Sequence, residues 1–290
     1  PLLFAALCVA IPARLGLVVI GGEGAIVLGG VMTGGLAATF AGWPALIAMP
    51  ILALMAAVAG GVWIGIVGAL RQWRGVNETI ASLLMAYIAI ALMNHFVEGP
   101  LKDPASLNKP STVPLPDDMR IGDLPGMDVH WGFFIGIAAC LAAGFVLSRT
   151  TFGFAARIAG GNARAAAVQG LPVGWLILAF TVAAGAAAGL AGMIQVAAVQ
   201  GSANASLAAG YGYTGILIAF LARQNPIAII PMALLIGGID AAGGFIQRRM
   251  DLPDATVLVL QGILFVSILV FETLSGRLLP SRSAKAGAAK

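Results

Sequence analysis

Residues 24–70 and 165–222 contain not one Asp, Glu, Lys or Arg. A soluble domain spreads charge over its surface, at about 25% of its residues, so uncharged runs of this length belong in lipid. Over the whole chain 60% of residues are hydrophobic and only 10% are charged, which places most of it there. Hydrocarbon offers backbone N–H and C=O groups no water, so only helices or a closed barrel can cross it. The period-two alternation of barrel strands is absent. The chain is therefore read as an all-α integral membrane protein, a polytopic helical bundle.

A crossing helix needs about 20 apolar residues. Apolar windows between breakers give nine spans, at 1–20, 24–40, 44–70, 79–97, 131–148, 173–199, 211–222, 226–245 and 255–272. The first carries Arg14 and 211–222 is too short to cross alone, so broken or re-entrant helices are expected at both. The long polar stretch 98–130, with six acidic and three basic residues, reads as an external loop. Arg71, Arg74, Arg149, Arg157, Arg164, Arg223, Arg277, Arg282, Lys285 and Lys290 then lie inside, against Lys102, Lys109, Arg120, Arg248 and Arg249 outside. Ten basic residues against five follow the positive-inside rule. Pro1 falls outside and the C-terminus in the cytoplasm. The chain opens in mid-run, with neither an initiator Met nor the basic flank of a signal peptide, so a further leading helix is expected.

A weak internal similarity organises these spans. FAGWPALIAMPILALMAAVAGG (40–61) and LARQNPIAIIPMALLIGGIDAAGG (221–244) each place a Pro at a helix start (Pro44, Pro226), a second Pro one or two turns on (Pro50, Pro231) and a closing Gly pair. Four spans start outside in residues 1–97 and four start inside in 173–272, so the two halves are inverted repeats, an arrangement that puts a pathway at the repeat interface. The expected layout of one transmembrane domain is a first repeat 1–97, external loop 98–130, linking span 131–148, cytoplasmic loop 149–172, second repeat 173–272 and cytoplasmic tail 273–290. Small residues such as Gly185, Gly189 and Gly192 suit close helix crossings. Cys8 and Cys140 sit in apolar segments and suggest neither a disulfide framework nor a thiolate metal site. The net charge of +4 is scattered at helix ends, which gives no nucleic-acid face.

Polar groups inside lipid are costly, and each invites a functional reading. Glu23, between Gly22 and Gly24, sits at a break where unwound backbone can face a path. Asn77 and Glu78 read as the N-terminal cap of the fourth span. Asn94, Gln195, Asn204, Tyr211, Tyr213, Asp240 and Gln261 are candidates for lining the path. Neutral amides and aromatics predominate among them, which favours a polar uncharged solute over an ion. An ion-driven transporter would need a buried carboxylate, for which Glu23 and Asp240 are the candidates. No nucleophile–base pair or metal-ligand spacing within one span suggests an intramembrane enzyme.

The segment SRTTFGFAARIAGGNARAAAVQGLPVGW (148–175) alternates Arg149, Arg157 and Arg164 with small apolar residues. Asn162 can cap a short helix over 163–169, which Gly170 and Pro172 end. Its string TTFGFAARIAGGNARAAAVQGLPV resembles the cytoplasmic coupling loop of ABC-transporter permeases of the simple-sugar, nucleoside and branched-chain amino acid group. IGGEGAIVLGG (20–30), GVNETIASLLMAYIA (75–89) and GYGYTGILIAFLARQNP (210–226) resemble further segments of that group, in order along nearly the whole chain. The sequence departs from the group at Ala222 and Arg223, where a small Gly is usual, and at Ala86, where this branch often has Asn.

The resemblance implies the membrane-spanning permease of an ATP-driven importer. Thr151, Gly153, Arg157, Gly160, Asn162, Ala166 and Gly170 would couple it to an ATPase subunit docked under 151–170. Arg157 and Asn162 would make the contact, and Gly153, Gly160 and Gly161 would let the turn sit close to that partner. A soluble binding protein would deliver solute, and a second permease chain, identical or paralogous, would complete the pore in a bacterial inner membrane. The chain has no G-x-x-x-x-G-K-[ST] loop, so ATP and Mg would be bound by the partner and no cofactor is expected in the chain itself. GVNETIASLLMAYIA and the long loop look most like the nucleoside and simple-sugar branch. A branched-chain amino acid permease and an ion-driven secondary transporter stand as alternatives.

Overall fold

The computed structural model describes residues 1–250 apart from 107, 127 and 128, together with 259, 260, 262, 263, 266, 267, 270 and 271. Most of the expected ninth span, and all of the tail at 273–290, lie outside the described residues. Residues 1–233 form one compact unit and 234–290 a second. Ten α-helices are present among the described residues: α1 (Leu2–Ala13), α2 (Gly22–Ala37), α3 (Ala45–Arg74), α4 (Glu78–Glu98), α5 (Gly132–Arg149), α6 (Thr151–Gly161), α7 (Ala163–Val168), α8 (Val173–Ile194), α9 (Tyr211–Leu221) and α10 (Pro226–Met250). Extended pairing among them amounts to two isolated bridges, Ser111 with Asn204 and Asp123 with His130.

Six helical stretches are long and apolar enough to cross a membrane: Gly22–Phe40, Ala45–Arg74, Glu78–Glu98, Gly132–Arg149, Val173–Gln200 and Pro226–Gly243. Leu2–Ala13 and Ala205–Leu221 are apolar but shorter. The expected span 1–20 is therefore a 12-residue helix followed by an extended return. Pro12 lies in its last turn and Gly16 adopts φ +72, so the helical ladder cannot continue through Arg14. α1 is apolar all round and buried along most of its length, as befits a helix inside a bundle rather than at its rim.

The terminators are written locally. Gly75 closes α3 at φ +66, and the Asn77 side chain then accepts from the N–H groups of Thr79 and Ile80 at 2.9 and 3.2 Å, capping α4. Arg71 and Glu78 bridge this turn at 2.8 Å.

α8 is the hub. Three of its glycines press on the backbone of other helices: a Cβ at Gly185 would strike the Gly60 carbonyl, one at Gly189 that of Ala56, and one at Gly192 that of Ile26. α3 and α2 thus approach α8 backbone to backbone, the contact that small residues permit where lipid supplies no hydrophobic drive. Beyond Ile194 the helix widens into a π turn, Gln195–Gln200, ending at Gly201 with φ +73.

The segment 111–121 crosses over this end of α8. Its main chain donates from Thr112 to Ala203, from Leu115 to Gly201 and from Ile121 to Ala197, at 2.8–2.9 Å. Met119 is fully buried with Ala48, Leu52, Ala56 and Met193.

Candidate functional site: a junction of half-helices and a coupling element

After α1 the chain returns in extended form along α4. The N–H of Val18 reaches the Glu78 carboxylate at 3.4 Å, the Thr79 hydroxyl donates to the Val18 carbonyl at 2.9 Å, and the N–H of Ile20 donates to Ser82 Oγ at 3.1 Å. Gly21 lies on the backbone of Ser82 and Gly24 on Ala86 and Ala89. α2 therefore begins beside the second turn of α4 rather than at its end. Ala86, where an Asn is usual, is buried in this crossing, where little space is left for a longer side chain.

α9 begins at the same place. Gly210, at φ +86, turns the chain into it, and Gly212 packs on the backbone of Glu23. Glu23 joins the two starts: its Oε1 accepts from Gly210 N–H at 2.7 Å and its Oε2 from Gly212 N–H at 2.5 Å. With the residue only 1% exposed, these donors stand in for water around the carboxylate. A carboxylate also suits a place where two helix N-termini, each carrying partial positive charge, come together. Glu23 is thus not an open lining group in this state; both of its oxygens are held.

Gln195, at the first position of the π turn, is 3% exposed and donates from Nε2 to the Tyr211 hydroxyl at 3.2 Å. Its Oε1 has no hydrogen-bond partner among the described residues. Tyr213, two residues further along α9, is 42% exposed and lies within electrostatic reach of Glu23 and of Tyr87 on α4, itself 61% exposed. All three tyrosines of the chain therefore fall around the α9 start. Sequence alone does not single out Tyr87, because it reads as one more apolar position of α4.

The other expected path residues are placed differently. Asn204 is buried, its side chain caps a 3-10 turn by accepting from Ser206 N–H at 2.9 Å, and it pairs with Ser111 beneath the crossing segment. Asn94 is half-buried on α4 beside the core residue Met93. Asp240 lies on α10 in the second unit. Gln261 lies outside the described residues.

The segment 149–172, expected to couple to a partner, holds two helices rather than one, α6 and α7. Thr150, next to the expected Thr151, caps α6 by accepting from Gly153 N–H at 3.3 Å, and Asn162 caps α7 by accepting from Ala165 N–H at 3.0 Å. Gly170, at φ +83, turns the chain after α7. Gly153 and Gly160 serve contacts within the chain: they press on the backbone of Leu147 and of Arg14. Gly161 has open space around it. Ala156, Ala159 and Ala166 are buried with Leu147, Leu176 and Phe180, and Phe152 stacks on Phe180 of α8 with centroids 4.8 Å apart. The outer face keeps Thr151, Phe154, Arg157, Asn162, Arg164 and Val168 exposed, with Arg157 also reaching the Leu147 carbonyl at 3.5 Å.

The turn between α9 and α10 explains one departure from the resemblance. Arg223 and Gln224 adopt φ +49 and +57, the left-handed region in which glycine is least strained. A glycine is what the group usually places there.

The six span-length apolar helices among the described residues define a multi-pass integral membrane protein. A family model described as branched-chain amino acid transport system / permease component matches residues 1–269, and the chain belongs to that family. It is 31% identical to the glucose ABC transporter permease protein of Haloferax volcanii, over 94% of this chain and 74% of that protein. It is 28% identical to the guanosine ABC transporter permease protein of Bacillus subtilis, over 92% and 78% respectively. A probable riboflavin import permease protein of Treponema pallidum is 25% identical, over 88% and 68%. No solved structure matches the chain. Membership makes the chain an ABC transporter permease, a transport component and not an enzyme. It also removes the ion-driven alternative.

Proposed function

We propose that the chain forms the path for a neutral, ring-bearing polar solute of the nucleoside or simple-sugar kind, delivered by an external binding protein and driven by a partner ATPase. The observation that carries this is the α2–α9 junction, where a held carboxylate, a buried amide and three tyrosines meet among otherwise apolar helices. Aromatic faces with a few fixed polar groups suit a ring carrying hydroxyl or amide groups better than an aliphatic amino acid with two charges. The names of the relatives, which carry glucose and guanosine, point the same way.

The α6–α7 surface is the proposed seat of the ATPase, with Arg157 and Asn162 in the contact and ATP and Mg held by that partner. Span-length helices with exposed apolar faces leave room for a second permease chain beside this one. The orientation follows the basic residues: α6 and α7 in the cytoplasm of a bacterial cell, and segment 98–130 outside. Inverted repeats fit the packing, since α1 rests on α9 as α2 rests on α8, which is the exchange expected if α1 and α2 correspond to α8 and α9. The nine-span reading stands with it, α1 and α9 being the short members.

The test is uptake of radiolabelled guanosine and of glucose into vesicles holding the chain with its ATPase and binding protein. Uptake should require ATP and should vanish when Arg157 and Asn162 are both replaced by Ala. Uptake that persists without the ATPase would refute this reading.

A further inference from the structure

Resting on the reading above, we infer that the free end of the Gln195 amide is a specificity contact, accepting a hydrogen bond from an O–H or N–H of the carried solute. Gln195 is almost wholly buried, yet only one end of its amide is used. Inside an apolar bundle an unpaired amide oxygen is costly, and no backbone N–H among the described residues relieves it. Three features give it a direction. The Tyr211 hydroxyl anchors Nε2, which fixes the amide plane. Tyr211 opens α9 one residue after Gly210, whose N–H Glu23 holds, so the anchor is tied to the junction. The residue also stands at the first position of a π turn, a distortion that re-aims side chains and is frequent at functional sites.

The ligand class follows from the chemistry. The free oxygen of an amide whose nitrogen is held by a neutral phenol carries no net charge, so it selects a neutral donor and has little to offer a cation or an anion. Glu23 does not compete for this role, because both of its oxygens are engaged by the α9 backbone. Gln195 thus discriminates among ring-bearing solutes by one donor position, with Tyr211 as its positioning residue.

The experiment compares uptake of guanosine and glucose with uptake of deoxy and deaza analogues that each lack one donor, in wild type, Gln195→Met and Tyr211→Phe. In wild type, removal of one particular donor should lower uptake efficiency about tenfold or more. Gln195→Met should erase that penalty, so that parent and analogue are carried alike. Tyr211→Phe should narrow it while keeping its position in the series. Equal losses for every analogue in Gln195→Met, with the penalty intact, would assign Gln195 a packing role and overturn the inference. A wild type without any donor-dependent penalty would overturn it as well. Failure of wild type to carry either parent solute with its ATPase present would instead overturn the function proposed above. Membrane abundance and ATPase co-purification show that each variant is folded, and Tyr211→Phe supplies the readout should Gln195→Met fail that check.

Discussion

At the residue scale Glu23 poses the sharpest problem, since a carboxylate sealed from water is normally a liability. Here it receives two backbone N–H groups from the start of α9, at 2.7 and 2.5 Å, bonds of the charge-assisted kind. Glu23→Gln keeps the shape but turns an NH2 toward one of those donors. The expected cost is about 2 kcal/mol, read as a fall of about 5 °C in the melting temperature of the detergent-solubilised protein. An unchanged melting temperature would sink the cap assignment. The glycine-like backbone of Arg223 and Gln224 marks the opposite case, a place where this chain tolerates strain that a glycine would avoid.

At the element scale α8 joins α6 and α7 to the junction. Val173–Gln200 is 28 residues long, about 42 Å as helix. Phe152 rests on Phe180 near its start and Gln195 opens its far turn. With the ATPase seated on α6 and α7 as proposed, Phe152→Ala should lower solute carried per ATP hydrolysed about tenfold while the ATPase stays bound, because a cavity replaces the stack between α6 and α8. Vesicles in which uptake and hydrolysis are both measured decide this: a ratio equal to wild type would rule the stack out as a link.

Elements with local signals were legible in the sequence. Gly75 and Asn77 announce the α3–α4 turn, and Gly170 ends the coupling segment. α6 was not, because TFGFAARIAGG has small residues on every side and reads as loop as readily as helix. The Glu23 pairing was hidden for another reason: its donors lie 187 and 189 positions away, and an N–H leaves no mark in a sequence. The break at 211 was legible only as shortness, which says that a helix is broken but not what meets its end.

At the scale of the whole molecule, the interlock of Gly60, Gly185 and Gly189 leaves α3 and α8 no freedom to slide, so they should travel as one body during transport. Gly61 is suited to a test, since a Cβ placed there lies 3.7 Å from that of Ala186, within disulfide geometry. Cysteines at 61 and 186, once oxidised, should leave ATP-driven uptake within about twofold of the reduced pair. Loss of uptake on oxidation, restored by reduction, would show instead that the two helices part.

The outer crossing segment leads to a different kind of consequence. Its ties to the end of α8 are one from the Ala203 N–H to the Thr112 hydroxyl and three that run from main-chain N–H to main-chain carbonyl, at Thr112, Leu115 and Ile121. The main-chain ties ask of a residue only that it not be proline. The exposed positions of this segment, such as Val113, Asp117, Asp118 and Arg120, can therefore be rewritten over evolutionary time, residue by residue, while the turn that carries Gln195 stays anchored as before.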